Sequence, residues 1–120
     1  MVPILATLLN RWLPVLIWAG VIYTLSSLST LPTPEVIWWD YILKKSAHIF
    51  EYALLYFLLV RALADKSPLT YRTAFIIALL YAVSDELHQS FTPGRFPKPT
   101  DVGYDTFGMF VAYLRIKHFI

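Results

Sequence analysis

Four apolar segments constrain the fold of this chain more than any other feature: residues 12–28, 45–64, 73–90 and 100–116. A transmembrane helix needs about 20 mostly apolar residues, with about 17 as the lower end. Hydrophobic residues make up 58% of the chain and charged residues 15%. A soluble domain of this size buries too little surface to hide so many apolar side chains. The sequence therefore predicts an all-α, polytopic integral membrane protein: a single domain over residues 1–120 that forms a bundle of four transmembrane helices.

Prolines interrupt the chain after the first segment. Pro32 and Pro34 lie there, and Thr33 followed by Pro34 is typical of a helix cap and first helical position. The residues that follow include Trp38 and Trp39, and tryptophan prefers the membrane–water interface. The pattern predicts a short interfacial helix between the first and second spans.

The later connections are also marked by turn residues. Ser67-Pro68 predicts the turn before the third span, and residues 92–99, with three prolines and a glycine, predict a stiff loop before the fourth. Thr100 is the predicted cap of the last helix. Asp101 then falls in the first turn, where the helix dipole favours an anion.

Lysine and arginine counts suggest an orientation, because cytoplasmic loops carry an excess of both. The side that holds both chain termini has six cations, and the opposite side has four. The six are Arg11, Arg61, Lys66, Arg72, Arg115 and Lys117, and the four are Lys44, Lys45, Arg95 and Lys98. We predict a multi-pass protein of the bacterial cytoplasmic membrane with both termini in the cytoplasm. Four of these cations are then most simply topology charges near the inner leaflet: Lys66, Arg72, Arg115 and Lys117.

Composition also narrows the functional classes. The chain has no cysteine, which excludes disulfides and thiolate chemistry, and its net charge of +2 without a basic run argues against nucleic acid as a partner. No P-loop, dinucleotide fingerprint or nucleophile elbow is present, so nucleotide cofactors are not expected. The membrane bilayer is the expected partner, and the sequence is compatible with a homo-oligomer.

Polar residues gather at one end of three predicted helices. The second and fourth helices begin, and the third ends, on the same predicted outer side, so their polar groups should lie at one depth. The group contains Lys45, His48, Glu51 and Tyr52 from the second helix, Asp85, Glu86 and Gln89 from the third, Asp101 and Asp105 from the fourth, and Arg95 from the loop. Ionisable groups inside membrane segments commonly mark functional sites. Gly108 and Ala112 share a stripe with Asp105 and would allow close helix approach there.

Carboxylates outnumber the other charges in this group, and close carboxylates in a partly dry site cannot all stay ionised without compensation. Four sources could supply this compensation: the nearby cations, a protonated histidine, a retained carboxyl proton or a bound divalent metal. The candidate metal ligands are His48, Glu51, Asp85 and Asp105, and His48 with Glu51 has a spacing that suits two ligands on one helix face. The structural alternative is that His48 ties the second helix to an acid of a neighbouring helix.

Three motifs support a resemblance. They read Lys45-x-x-His48-x-x-Glu51-Tyr52, Ser84-Asp85-Glu86-x-His88-Gln89-x-Phe91-x-Pro93-Gly94-Arg95, and Asp101-Val102-x-x-Asp105-x-x-Gly108. In order and spacing, residues 45–112 resemble the VanZ-like family of small bacterial membrane proteins, named after an accessory teicoplanin-resistance protein. The resemblance implies a role in the cell envelope and reduced susceptibility to teicoplanin-type glycopeptides. Family members often have Asn where this chain has Asp105, which weakens mechanisms that need a negative charge there.

Three functions are compatible with these residues. In the first, which we favour, the outer site binds an anionic envelope lipid, such as a polyprenyl phosphate, or a cell-wall precursor. Lys45 and Arg95 would hold its phosphate, since arginine offers a planar donor fork. Pairing with the surrounding acids is the structural alternative for both cations.

The second function is a membrane-embedded hydrolase or transferase acting on a lipid phosphate, with His48, Asp85, Glu86 and Asp105 as candidate acid, base or metal-binding residues. The third is a small proton-coupled transporter. The structural alternative is that the acids are hydrated side chains at a helix end. For Asp101, the preference of the helix dipole for an anion is alone sufficient to explain its position. Asp105 lies past the first turn and needs a partner, with Lys45, Arg95 and His48 as the candidates.

Overall fold

Four α-helices account for nearly all of the chain that the computed structural model describes, which is residues 4–27, 37–63, 67–91 and 99–118. The helices are α1 (Ile4–Ser27), α2 (Ile37–Leu63), α3 (Pro68–Gln89) and α4 (Pro99–Ile116). Those described residues contain no strand. The predicted all-α class and the number of long helices are confirmed.

The start of α2 corrects one prediction. Trp38 and Trp39, which the sequence assigned to a separate interfacial helix, lie in the first turns of α2, which runs unbroken from Ile37 to Leu63. The physical reason is that neither proline nor glycine lies between Trp38 and Lys45, so nothing in the backbone ends the helix there. The predicted helix start at Thr33-Pro34 lies outside the described residues.

The starts of α3 and α4 follow their prolines. Ser67 caps α3, where its hydroxyl oxygen accepts a hydrogen bond from the backbone N–H of Thr70 at 3.3 Å, and Pro68 takes the first helical position. In α4 the first helical residue is Pro99, so Thr100 lies inside the helix and its predicted role as the cap is wrong. Proline at the first position loses no hydrogen bond, because the N–H groups of the first turn have no partner within the helix.

Side-chain contacts show that successive helices alternate in direction. Trp18 of α1 is hydrogen-bonded to Glu51 of α2, and Asn10, earlier in α1, is hydrogen-bonded to Arg61, later in α2. These two helices therefore run antiparallel. Between α2 and α4 the paired numbers rise together, from His48 with Asp105 to Ile49 with Gly108, which makes them parallel. The beginnings of α2 and α4 therefore lie at one end of the bundle with the C-terminal ends of α1 and α3. We call this the polar end.

The interior of the bundle combines tyrosine and small side chains with larger aliphatic ones. Ala74, Ala78 and Ala82 make a buried stripe along α3, and Tyr52 and Tyr56 of α2 are almost completely buried. The α2–α4 interface is the most extensive in the described part of the chain, in which α1 and α4 do not touch. Small residues at these contacts let helix backbones approach closely.

Among the residues that the structure describes, two helices are long and apolar enough to cross a membrane, by length and composition alone: Ile4–Leu25 of α1 and Lys45–Leu63 of α2. The outward faces of α1 are strongly apolar, with Leu5 and Leu16 each about two-thirds exposed. Water does not favour such a surface, and a bilayer does. These observations indicate a membrane protein.

Candidate functional site

A buried histidine–aspartate pair joins α2 to α4 at the polar end. The Nδ1–H of His48 donates to Oδ1 of Asp105 at 2.9 Å, and the two side chains are 12% and 3% exposed. A carboxylate that accepts this hydrogen bond fixes the orientation and tautomer of the imidazole. His48, one of the three candidates that the sequence offered, is thus a partner of Asp105.

Gly108 holds the backbones of the two helices close beside this pair. A Cβ atom built on Gly108 would overlap the carbonyl oxygen of Ile49 and would lie 3.0 Å from its carbonyl carbon. Since carbon atoms prefer about 3.5–4.0 Å, only glycine fits without moving a helix. The close approach of α4 to α2 places Asp105 within hydrogen-bonding distance of His48, the neighbour of Ile49.

A second buried carboxylate comes from α3. Asp85 is 5% exposed, and its Oδ2 accepts a hydrogen bond of 3.4 Å from the fully buried hydroxyl group of Tyr52. The rings of Tyr52 and Tyr81 lie 6.3 Å apart. Tyr81 in turn donates to the backbone carbonyl of Ala19, which connects this part of α3 to α1.

Lys45 lies one turn before His48 at the rim of the polar end. Its Nζ atom is 5.1 Å from the centre of the Tyr104 ring, a distance typical of a cation–π contact. Its side chain is half-buried. The lysine therefore brings a positive charge to the edge of a group that is otherwise rich in carboxylates.

Helix α1 also reaches the polar end, which the sequence did not predict. The indole N–H of Trp18 donates to the backbone carbonyl of Glu51 at 2.8 Å, and the Tyr23 ring stacks on His88 with their centres 4.2 Å apart. The only sequence signal is the apolar span with its aromatic residues, and that signal does not specify a partner helix. The site is thus formed by side chains from four helices rather than three.

The remaining predicted residues are placed as follows. Glu51 and Glu86 are half-buried on α2 and α3, and the Oε1 atom of Glu86 is buried. Gln89 and Asp101 lie in α3 and α4, but their side chains fall outside the described part of the structure, as does Arg95 entirely. Tyr104 contacts the predicted lysine, although no pattern in the sequence indicated it as a site residue.

The geometry gives limited support for a metal centre. Among the side chains that the structure describes, no three of the histidines and carboxylates are placed so that they could hold one ion together. His48 and Asp105 face each other, whereas Asp85 is hydrogen-bonded to Tyr52. These contacts fit a network that links helices and positions an imidazole.

A family profile described as VanZ/LLP1 matches residues 5–120, nearly the entire chain. The chain belongs to this family. No curated protein and no solved structure matches it. The resemblance that the motifs over residues 45–112 suggested is confirmed, and the match extends it to α1. Membership in the VanZ/LLP1 family agrees with the membrane character that the two apolar helices indicate.

Proposed function

We propose that all four helices cross the bacterial cytoplasmic membrane, with both termini in the cytoplasm and the polar end at the outer face. Helix α3 contains 22 residues and α4 contains 18. A rise of about 1.5 Å per residue gives them lengths of about 33 Å and about 27 Å, close to the hydrocarbon thickness of about 30 Å. Leu80 and Leu87 of α3 and Phe107 of α4 are more than half exposed, as lipid-facing side chains would be.

A cysteine-accessibility scan tests this topology, because the chain contains no native cysteine. Single cysteines are introduced at both ends of the bundle and labelled with a membrane-impermeant reagent from either side. We expect a cysteine in place of Phe91, at the polar end, to be labelled from outside the cell. Labelling of that position from the cytoplasm alone would refute the topology.

At the polar end, the protein binds the phosphate-bearing headgroup of an anionic envelope lipid or cell-wall precursor. The observation that carries this proposal is the meeting of polar side chains from α2, α3 and α4 at one end of helices with apolar outward faces. A polyprenyl phosphate matches both the apolar faces and the polar end, since its chain would lie along the former and its headgroup would reach the latter.

Lys45 is the cation that supports this role. Its side chain is half-buried rather than fully buried, and its Nζ atom lies over the ring of Tyr104. Behind it, His48 is held by Asp105, so a second positive group is available at the headgroup whenever the imidazole is protonated. Arg95 follows the C-terminal end of α3 in sequence and would supply the planar donor fork that phosphate favours.

The test is thermal unfolding of the detergent-purified protein with undecaprenyl phosphate, compared with undecaprenol, which has the same chain and no charge. A ligand that binds only the folded state stabilises it by about 2.7 kcal/mol at a hundredfold excess over Kd. We expect this stabilisation with the phosphate alone, and we expect Lys45→Ala and Arg95→Lys to reduce it. Arg115→Ala, which removes an exposed cation at the opposite end, is the matched control. Equal stabilisation by the phosphate and the alcohol would refute headgroup recognition.

A contribution to teicoplanin-type glycopeptide resistance would follow if the bound lipid is a cell-wall precursor. The minimal inhibitory concentration of teicoplanin in cells that express the protein should rise above that of cells with an empty vector. Lys45→Ala should abolish the rise while membrane abundance stays unchanged. A rise that survives this substitution at equal abundance would separate resistance from the polar end.

The His48–Asp105 pair favours a second candidate function, hydrolysis or transfer at a lipid phosphate. An imidazole held through Nδ1 by a buried carboxylate is the usual arrangement of a general base that acts through Nε2. His48 would then take a proton from the water that attacks phosphorus. This candidate predicts release of inorganic phosphate from undecaprenyl pyrophosphate that is lost in His48→Gln. Absence of product from the wild-type protein, with and without added Mg²⁺, would exclude it.

The transporter alternative gains no support from the contacts of the described residues. Their polar network joins the helices at the polar end, and none of the hydrogen bonds or ion pairs described above carries it through the buried alanine stripe of α3 to the other end. A flux assay in liposomes that stays flat across pH would remove this alternative.

A further inference from the structure

A cavity lies at the end of the bundle opposite to the polar end. It has a volume of about 400 Å³, within the range of about 300–1,000 Å³ that is usual for ligand pockets. It lies where the second half of α2, the beginning of α3 and the end of α4 meet. Its walls are mainly aromatic, with Tyr56, Phe75, Phe110 and Tyr113 among them. We call it the aromatic cleft.

Two cations lie at the aromatic cleft. Arg72 projects from the first turns of α3 and Lys117 from the turn that ends α4, and both are exposed lining residues. The positive end of the α3 dipole lies at the same place, since Pro68 at the helix start also lines the cleft. The lining contains no carboxylate among the residues that the structure describes. The cleft therefore combines apolar walls with a positive mouth.

The C-terminal turn of α4 fixes the position of Lys117. Its backbone N–H continues the helix by donating to the carbonyl of Tyr113 at 2.9 Å, and His118 then adopts a left-handed conformation with φ of 64° that ends the helix. The Nζ atom of Lys117 lies 5.1 Å from the centre of the Tyr71 ring. Tyr71 also packs edge-on against Tyr113. The cation is thus held against the cleft wall by packing as well as by backbone geometry.

We infer that the aromatic cleft binds an anionic membrane phospholipid from the leaflet at that end. One acyl chain occupies the aromatic walls, and the phosphate lies between Arg72 and Lys117. Charge complementarity selects an anionic headgroup, and the apolar lining selects a ligand that also carries a hydrocarbon chain. This is the inner leaflet in the topology proposed above, on which the choice of leaflet rests. The inference does not depend on the function of the polar end, which lies at the other end of the helices.

The experiment measures lipid binding to the detergent-purified full chain by native mass spectrometry. The probes are dioleoyl phosphatidylglycerol, dioleoyl phosphatidylcholine with the same chains and a zwitterionic headgroup, and glycerol 3-phosphate, which has the charge without the chains. A lysine or arginine near an anionic membrane surface contributes roughly a fivefold change in affinity. We expect Arg72→Ala and Lys117→Ala each to weaken phosphatidylglycerol binding by about fivefold, and the double variant by about 25-fold if the effects add.

Two variants serve as controls. Arg115→Ala removes an exposed cation from the same end of α4 that does not line the cleft, and it should leave the affinity unchanged. The double variant Arg72→Lys with Lys117→Arg keeps two positive charges and one guanidinium group at the cleft, so it should bind phosphatidylglycerol more tightly than the double alanine variant, which separates lost charge from lost folding. Equal affinity for phosphatidylglycerol and phosphatidylcholine would overturn the inference. So would an effect of Arg115→Ala as large as that of Arg72→Ala, or binding of glycerol 3-phosphate as tight as that of the lipid.

Discussion

Among the glycines of the described helices, Gly108 should be the one whose replacement by alanine destabilises the bundle most. The added Cβ would overlap the carbonyl oxygen of Ile49 and would lie 3.0 Å from its carbonyl carbon and 3.1 Å from its Cα. Because ordinary carbon contacts begin at about 3.5 Å, α4 must move away from α2 by roughly 0.5 Å or more. The obstacle is helix backbone, which cannot rotate aside as a side chain can.

The cost of this displacement has two parts. Overpacking of a close contact costs about 1–3 kcal/mol. The same movement would lengthen the 2.9 Å hydrogen bond between His48 and Asp105 towards about 3.4 Å, beyond its normal range. A hydrogen bond to a charged group contributes about 1.5–3 kcal/mol, so the total loss lies between about 1 and 6 kcal/mol according to how far the pair opens.

The assay is reversible unfolding in mixed micelles, with Gly103→Ala as the matched control on the same helix. A Cβ on Gly103 meets no atom within 4 Å. This substitution should therefore be neutral or stabilise the helix by up to about 1 kcal/mol, which is the usual gain of alanine over glycine. We expect Gly108→Ala to lower the free energy of unfolding and Gly103→Ala to leave it unchanged or raise it. If Gly108→Ala were as stable as the control, the close approach of α4 to α2 would be refuted.

Three smaller perturbations test other parts of the structure by the same unfolding assay. Asp105→Leu should cost about 3–5 kcal/mol, because it leaves His48 buried without its partner, whereas Asp105→Asn keeps an acceptor oxygen and should cost clearly less; equal costs would argue against the pair. Tyr52→Phe removes a long hydrogen bond to Asp85. Its loss should cost about 1 kcal/mol, and an unchanged stability would mean that this contact contributes nothing. Ser67→Ala should cost about 1 kcal/mol through loss of the α3 cap and Ser67→Asn almost nothing, so equal losses would contradict the capping role.

The sequence predicted the helical architecture well because its local signals agree with one another. Apolar segments of membrane-spanning length alternate with proline-containing breaks, and each break falls between two helices or extends to the first residue of the next helix. The prediction of a separate interfacial helix after Thr33-Pro34 was wrong, since residues 37–42 contain no residue that ends a helix. The helix ends are therefore set by residues that interrupt the backbone, such as proline, and not by the preference of tryptophan for the membrane–water interface.

The candidate site was predictable as a set of residues but not as a set of pairs. The sequence placed His48 and Asp105 at the same end of the bundle, but it offered three candidate partners for Asp105 and did not choose among them. The choice depends on the rotation of α4 about its axis and on its distance from α2, which the contact between Gly108 and Ile49 fixes. Likewise, no pattern indicated that Tyr104 would support Lys45. Tertiary packing decides such contacts.

The pairing of α2 with α4 also has a consequence for biosynthesis. His48 and Asp105 are 57 residues apart. At about 5–20 residues per second, the ribosome adds Asp105 roughly 3–11 s after His48. In the topology proposed above, His48 leaves the ribosome and reaches the membrane several seconds before Asp105 does, so α2 arrives there without the helix that covers its polar face. The nascent chain must therefore shield His48 by other means, with water, with the insertion machinery or with α3, until the last helix arrives and completes the bundle.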